Sequence, residues 1–279
     1  MKKNIILMLK GMLIGVANII PGVSGGTLMI TLGLYEEIID VISHFFKNFK
    51  KNILFILPIG IGMVLSVLIL SKIISFSLEK YAFPTTFFFI GLILGGIPLL
   101  WKRASAAKKN LSNWAVFAIT FGIILVFTFL KSGSYVVSVE NPDGSMMIKI
   151  LFIGMISAAT MVIPGISGSF VLMLLGFYEP IVNTIRDLTK FDLLGHNILV
   201  LAPFGIGILV GIVLVAKLIE YLLHKYPVKT YYGVLGFVIA SIIAIVKPVL
   251  SNSTNVLEII ISIVLLGIGS VLAYKLGDK

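Results

Sequence analysis

Four hydroxyl side chains lie in two matching runs of an otherwise apolar sequence. The runs are residues 21–27, PGVSGGT, and residues 164–170, PGISGSF. Proline removes a backbone donor and clashes with the preceding helical turn, so each run predicts a broken helix. A helix that restarts after the break has free N–H groups, and with the hydroxyls these suit an anion, above all a phosphate. The predicted phosphate-binding residues are Pro21, Gly22, Ser24, Gly25, Gly26, Thr27, Pro164, Gly165, Ser167, Gly168 and Ser169.

A second interpretation of the runs is that their glycines and serines only let helices pack closely in a bilayer. Two symmetric copies, each behind a proline, favour the ligand-binding interpretation. Asn18 and Thr160 precede the two breaks at matching positions. These polar side chains could satisfy freed backbone groups as well as contact a ligand.

Two acids and two lysines also recur in pairs. Glu36 and Glu179 end a Gly-x-Tyr-Glu motif that follows each run. Acids within a membrane are costly and usually functional, so these two are candidates for proton coupling or gating. An interfacial carboxylate in water is the alternative. Lys72 and Lys217 could neutralise an anion, although snorkelling to the membrane interface explains them as well.

Composition defines the class of protein. The 279 residues are 58% hydrophobic and 12% charged, with a mean hydropathy of +1.12, which is typical of an integral membrane protein. The net charge is +10, but the basic residues lie in short loops, which indicates membrane topology and not nucleic-acid binding. The absence of cysteine excludes disulfides and thiol chemistry. The three histidines are scattered singly, so we predict no metal site and no other cofactor.

The chain contains its own duplicate, because residues 11–27 recur without a gap at residues 154–170. We predict an all-α membrane protein of two inverted-topology repeats, each a re-entrant helical hairpin plus three transmembrane helices. The first repeat covers 1–140, with a hairpin at 5–38 and spans at about 53–73, 83–100 and 114–130. The second covers 145–279, with a hairpin at 150–181 and spans at about 198–221, 230–248 and 256–275.

The helix arms on either side of the first break are short. Arms of about 16 and 12 residues reach roughly 24 and 18 Å, less than a bilayer core of about 30 Å, so a hairpin fits better than two full spans. Most of the 22 basic residues face one side if both termini are cytoplasmic, which predicts that orientation in the cytoplasmic membrane. The apolar N-terminal stretch is interrupted by Lys10 and is expected to be retained. Paired broken helices in inverted repeats are typical of secondary transporters.

The doubled Pro-Gly-x-Ser-Gly-small motif, followed by Gly-x-Tyr-Glu, resembles the polyprenyl-phosphate translocases of bacteria and archaea, formerly a domain of unknown function. The resemblance extends from Gly11 to the last span. It implies return of undecaprenyl phosphate from the outer to the cytoplasmic leaflet for cell-wall assembly. The implied partners are this lipid and the bilayer, with protons or sodium as candidate coupling ions and the oligomeric state left open. The residues alone indicate only an anionic ligand and alternating access.

Undecaprenyl-diphosphate phosphatases have a similar layout, and their motif is Pro-Gly-x-Ser-Arg-Ser. Gly25 and Gly168 stand where that family has its arginine. No paired glutamates precede either break, and Arg103 and Arg186 fall in predicted loops. Because phosphoryl transfer relies on cationic groups, a transporter is favoured over a phosphatase-like enzyme, and an ion channel is favoured least.

Overall fold

The apolar runs fold into packed helices in a computed structural model, which describes residues 2–20, 23–106, 110–130, 136–139, 142–187, 194–250 and 255–277. The regular structure of these residues is entirely helical. The first half has α1 (Lys2–Ile19), α2 (Gly25–Thr31), α3 (Tyr35–Ser43), α4 (Phe49–Leu65), α5 (Ser71–Lys80), α6 (Ala82–Ala104) and α7 (Leu111–Phe129). A π-helical segment, Ser66–Leu70, joins α4 to α5. The second half has α8 (Gly144–Val162), α9 (Gly168–Leu174), α10 (Tyr178–Arg186), α11 (Leu194–Lys225), α12 (Pro227–Leu250) and α13 (Val256–Gly277).

Seven helical segments of the described chain are long and apolar enough to cross a membrane. They are Phe49–Lys80, Ala82–Ala104, Leu111–Phe129, Gly144–Val162, Gly195–Lys225, Pro227–Leu250 and Val256–Gly277. The predicted class, an all-α integral membrane protein, is confirmed. α8 begins earlier than the sequence pattern suggested, because the Asp143 carboxylate accepts a hydrogen bond from the Met146 N–H (2.8 Å) and caps the helix.

The two halves use equivalent helix pairs. α1 packs on α4 and α8 packs on α11, while α6 packs on α13 and α12 packs on α7. Matching glycines permit the contacts of α1 with α4 and of α8 with α11. Gly11 lies against the backbone of Ile59, and Gly154 lies against the backbone of Phe204. The two halves meet where α6 packs on α13, where α12 packs on α7 and where α6 packs on α12. Ile93 of α6 and Val238 of α12 are fully buried.

Each half begins with a helix that doubles back into a seven-residue helix. In the first half the Lys10 amine donates to the Leu32 carbonyl (2.7 Å), so the end of α2 lies beside the middle of α1. In the second half the Val137 N–H donates to the Gly176 carbonyl (3.0 Å), so the end of α9 lies beside residues that precede α8. We refer to α1–α3 as the first hairpin and to α8–α10 as the second hairpin.

A second break in each hairpin was not predicted. Gly33 and Gly176 adopt φ angles of +70° and +75°, which only glycine tolerates well. The Gly33 N–H donates to the Ile30 carbonyl (2.9 Å), and the Leu34 N–H donates to the Met29 carbonyl (2.8 Å). These are the two bonds of a Schellman helix end, and the second hairpin repeats them. The equivalent bonds join Gly176 to Met173 (3.1 Å) and Phe177 to Leu172 (2.9 Å). The sequence pattern had suggested one arm continuing to Tyr35.

The two hairpins differ in how deeply they are enclosed. α2 packs against α6 and also contacts α8 and α13, whereas α9 packs mainly on α8. Six of the seven residues of α2 are buried, whereas in α9 two of the seven, Val171 and Leu172, are buried. The seven-residue helix of the second hairpin is therefore open on one side.

Candidate functional site

The tips of the two hairpins touch each other. The Gly165 N–H donates to the hydroxyl of Thr27 (2.9 Å), and both residues are buried. A Cβ added at Gly26 would lie 3.1 Å from the Met161 carbonyl oxygen, so the backbones are close. Gly165 (φ +83°) also lies against the Phe237 carbonyl, near the middle of α12. Pro21 and Gly22, predicted at the first tip, lie outside the described residues.

The serine that precedes each short helix has the same backbone conformation in both halves. Ser24 has φ −94° and ψ 128°, Ser167 has φ −93° and ψ 126°, and neither side chain caps its helix. Ser167 and Ser169 share a hydrogen bond between their hydroxyls (2.8 Å). The Ser24 hydroxyl is buried and has no hydrogen-bond partner among the described residues. An unpaired buried hydroxyl costs about 1–3 kcal/mol, so this group calls for an explanation.

Gly25 and Gly168 are packed against the polar residues that precede each break. A Cβ at Gly25 would lie 2.5 Å from Asn18 Oδ1, and one at Gly168 would lie 3.3 Å from Thr160 Oγ1. Glycine at each position therefore lets the short helix approach the polar residue that precedes the break. Pro164 is buried directly before the second tip.

A cavity of about 420 Å³ lies between α7, α9 and α12, and we call it the second-hairpin cavity. Its polar lining residues include Ser167, Ser169 and Lys247. Its apolar lining is formed by Ile124, Phe127, Ile166, Phe170, Met173 and Ala244. Hydrogen-bond donors and a cation beside an apolar wall suit an amphiphilic anion.

Lys247 was not among the predicted site residues. Its amine donates to the Thr128 carbonyl at the end of α7 (2.8 Å) and lies 4.1 Å from the centre of the Phe129 ring. An ammonium group has three donors, so this contact leaves donors for a ligand. Lys247 directly precedes Pro248 in the last turns of an apolar span. This unusual position of a lysine could have identified it as a candidate site residue.

A second cavity, of about 220 Å³, lies at the end of the first hairpin, and we call it the first-hairpin cavity. Arg103 forms an ion pair with Glu36 there and donates to the Tyr231 hydroxyl (2.9 Å). α6 continues to Ala104, so Arg103 lies in its last turn, and α10 continues to Arg186. The prediction that both arginines lie in loops was therefore wrong. Lysine and arginine in a last turn interact favourably with the helix carbonyls, which supports the longer helix.

The remaining predicted residues lie elsewhere. Glu179 is exposed in the first turn of α10. Lys72 on α5 and Lys217 on α11 are also exposed. None of these three side chains is among those that line the two cavities, so the structure brings together the hairpin tips but not the matched lysines.

The helical fold and the two cavities define a polytopic membrane protein, and comparison with known proteins indicates a transporter and not an enzyme. The chain belongs to the undecaprenyl phosphate translocase-like family, whose model matches residues 14–258. The resemblance inferred from the doubled motif is thereby confirmed.

Two curated relatives carry the name polyprenyl-phosphate transporter. The relative from Staphylococcus aureus is 33% identical over 272 residues, which cover 96% of this chain and 94% of the relative. The relative from Vibrio cholerae is 27% identical over 252 residues, which cover 84% and 75% of the two chains. No solved structure matches this chain at a significant level.

Proposed function

We propose that this protein returns undecaprenyl phosphate from the outer to the cytoplasmic leaflet of the cytoplasmic membrane, so that the lipid carrier is reused. The second-hairpin cavity carries this proposal, because Ser167, Ser169 and Lys247 lie beside an apolar wall. A phosphate joined to a prenyl chain has the complementary chemistry. The lipid class is the one in the names of the relatives and the family.

The proposed topology has inverted repeats at 1–140 and 145–279, with both termini in the cytoplasm. The doubling back of both hairpins and the equivalent helix pairs support it. In this orientation the first-hairpin cavity faces the cytoplasm and the second-hairpin cavity faces outward. The structure then corresponds to an outward-open state, since α9 is half-exposed while α2 is enclosed.

The phosphate must leave water to enter the protein, and removing a charged group from water without a partner costs several kcal/mol. α2 and α9 have only seven residues each, so we assign this role to hydroxyls, first-turn N–H groups and Lys247 more than to a long helix dipole. Ser24 supplies the equivalent hydroxyl when the first hairpin opens. Its unpaired oxygen supports that role, because the ligand would provide the missing partner.

Alternating access requires that the cytoplasmic side is closed while the outer side is open. We assign this closure to the pair between Arg103 and Glu36, together with Tyr231. Glu36 is thus a gating residue in this proposal. Glu179 is exposed and lacks an equivalent arginine, since Pro248 stands at the matching position, so it remains the candidate for coupling to protons or sodium.

The direct test is a transport assay with the purified protein in liposomes that carry a short fluorescent polyprenyl phosphate. Leaflet-resolved quenching should show movement of the lipid that Ser167→Ala and Ser169→Ala slow. A neutral polyprenol should not be moved faster than in empty liposomes. Equal rates with and without the protein would refute the proposal.

The phosphatase alternative has its own assay. Given polyprenyl diphosphate and a divalent metal, the protein in detergent should release no phosphate above background. Release that Ser167→Ala abolishes would instead establish an enzyme.

The re-entrant topology is tested separately. Ser24→Cys and Ser167→Cys introduce single thiols into a chain without cysteine. Ser24→Cys is buried and should react slowly with bulky impermeant reagents, whereas Ser167→Cys lines the cavity that faces outward and should react only with reagents added from outside. Rapid labelling of Ser24→Cys from outside would mean that the first hairpin crosses the membrane.

A further inference from the structure

Two pairs of metal-binding side chains face each other where α3 of the first hairpin meets α11. Asp40 lies on α3 and His44, one turn later, caps the end of that helix, while Glu220 and His224 are one turn apart on α11. His44 Nδ1 lies 3.4 Å from Asp40 Oδ1 and 3.2 Å from Glu220 Oε1. His224 Nε2 lies 3.9 Å from the same Glu220 oxygen. The transport mechanism proposed above does not use these residues.

His44 Nδ1 is spaced from Asp40 Oδ1 and from Glu220 Oε1 as neighbouring ligands of one small cation are. Tetrahedral zinc has bonds of about 2.0–2.2 Å, which separate neighbouring ligand atoms by about 3.3–3.6 Å. One ligand atom each from Asp40, His44 and Glu220 lies within 4.8 Å of the other two. Imidazole nitrogen and carboxylate oxygen together suit a divalent transition metal, with zinc as the simplest case.

The surroundings hold the central ligands in place. The Asn52 amide donates to the carbonyl oxygens of His44 and Phe45, both at 3.0 Å, and Asn52 is buried. The end of α3 that carries His44 is thereby fixed to α4. The Glu220 side chain is only 17% exposed, so its carboxylate points into the contact between α3 and α11. Outer hydrogen bonds of this kind orient metal ligands.

We propose that Asp40, His44 and Glu220 bind a divalent transition metal ion, and that the exposed imidazole of His224 turns to complete the site. The ion links the first hairpin to α11, which belongs to the second half of the chain. Glu36 lies one turn before Asp40 on the same helix. Metal binding therefore also steadies the helix that carries the partner of Arg103.

Zinc binding to the full chain tests the proposal. The protein is purified without a polyhistidine tag, stripped with EDTA and titrated with Zn²⁺ against a chromophoric chelator. We expect one Zn²⁺ per chain, and an affinity at least tenfold weaker in His44→Gln and in Glu220→Gln. His196→Gln is the matched control, since His196 lies near the other end of α11. It should bind zinc as the wild type does.

Thermal unfolding gives a second readout that does not depend on transport. Zn²⁺ should raise the unfolding temperature of the wild type and of His196→Gln but not that of His44→Gln. The absence of saturable binding would overturn the proposal. It would equally be overturned by zinc affinities that are the same in His44→Gln, Glu220→Gln and the wild type.

Discussion

Thr27 and Gly165 connect the tips of the two hairpins through a buried hydrogen bond, 2.9 Å from the Gly165 nitrogen to the Thr27 hydroxyl oxygen. The donor is a backbone N–H at the second tip and the acceptor is a side chain at the first. Any separation of the two hairpins must break this bond. In the proposed alternating-access mechanism, its strength therefore contributes to the balance between conformations.

Thr27→Val should lower stability, because it keeps the shape of the side chain but leaves the buried Gly165 N–H unpaired. The expected loss is about 1–3 kcal/mol in the free energy of unfolding. Thermal unfolding in detergent measures it. Thr184→Val is the control, since the Thr184 hydroxyl donates to the Pro180 carbonyl one turn earlier in the same helix (2.8 Å). If Thr27→Val and Thr184→Val lowered the free energy of unfolding equally, the hydrogen bond between the tips would contribute no more stability than a bond within one helix.

Lys247→Met should weaken binding of polyprenyl phosphate about tenfold or more, since a hydrogen bond to a charged group contributes about 1.5–3 kcal/mol. Methionine retains the apolar stem that lies along Phe129. The apparent affinity is measured from transport rates at a series of lipid concentrations. Lys149→Met, which changes an exposed lysine of α8, should leave the affinity unchanged. A normal affinity in Lys247→Met would remove this residue from the site.

Glu36→Gln should open the first-hairpin cavity more often, because it removes the charge that pairs with Arg103. The pair is partly exposed, so its contribution is about 0.2–1 kcal/mol and the expected effect is at most about fivefold. The reporter is Leu100→Cys, a buried position that lines this cavity in a chain without other cysteines. Its labelling rate from the cytoplasmic side should rise.

The control for this gate is Glu179→Gln, the matching acid of the second half. It should leave the labelling of Leu100→Cys unchanged. If Glu179 couples transport to protons, this variant should bind the lipid but lose the response of transport to an imposed pH gradient. A rise in labelling in both variants would contradict a gate specific to Glu36.

Gly33→Ala and Gly176→Ala should each destabilise the protein by about 1–2 kcal/mol, because alanine is strained at a positive φ. At Gly33 the added Cβ would also lie 2.8 Å from the Gly277 carbonyl oxygen. Thermal unfolding measures both. Gly60→Ala and Gly205→Ala are matched controls in helices with open space around the Cβ, and they should stabilise the protein slightly. Destabilisation by all four changes would contradict the assigned role of the Schellman ends.

The sequence predicted the helical membrane class and the paired breaks, because both depend on local chemistry. Apolar composition requires helices in a bilayer, and Pro-Gly after an apolar arm ends a helix. The second break at Gly33 and Gly176 was missed. A Schellman end depends on hydrogen bonds to carbonyls three and five residues earlier, and the surrounding residues are as apolar as any helix interior.

The site was only partly predictable, because its cations come from distant helices. Lys247 lies on α12 and lines the second-hairpin cavity. Arg103 pairs with Glu36 because α6 continues for several residues beyond its apolar segment. The duplicated sequence also suggested two equivalent hairpins. Their unequal burial depends on how all the helices pack together, so it could not be predicted from the local sequence of either hairpin.

The volume of the second-hairpin cavity, about 420 Å³, bears on which lipids the transporter accepts. Sites for drug-sized ligands span about 300–1,000 Å³, and a long polyprenyl chain is larger than such a ligand. We therefore propose that the cavity admits the phosphate and the first isoprene units, while the rest of the tail stays among the lipids. In this proposal the protein binds the head group and does not measure the length of the tail, so the same fold serves carriers of different lengths.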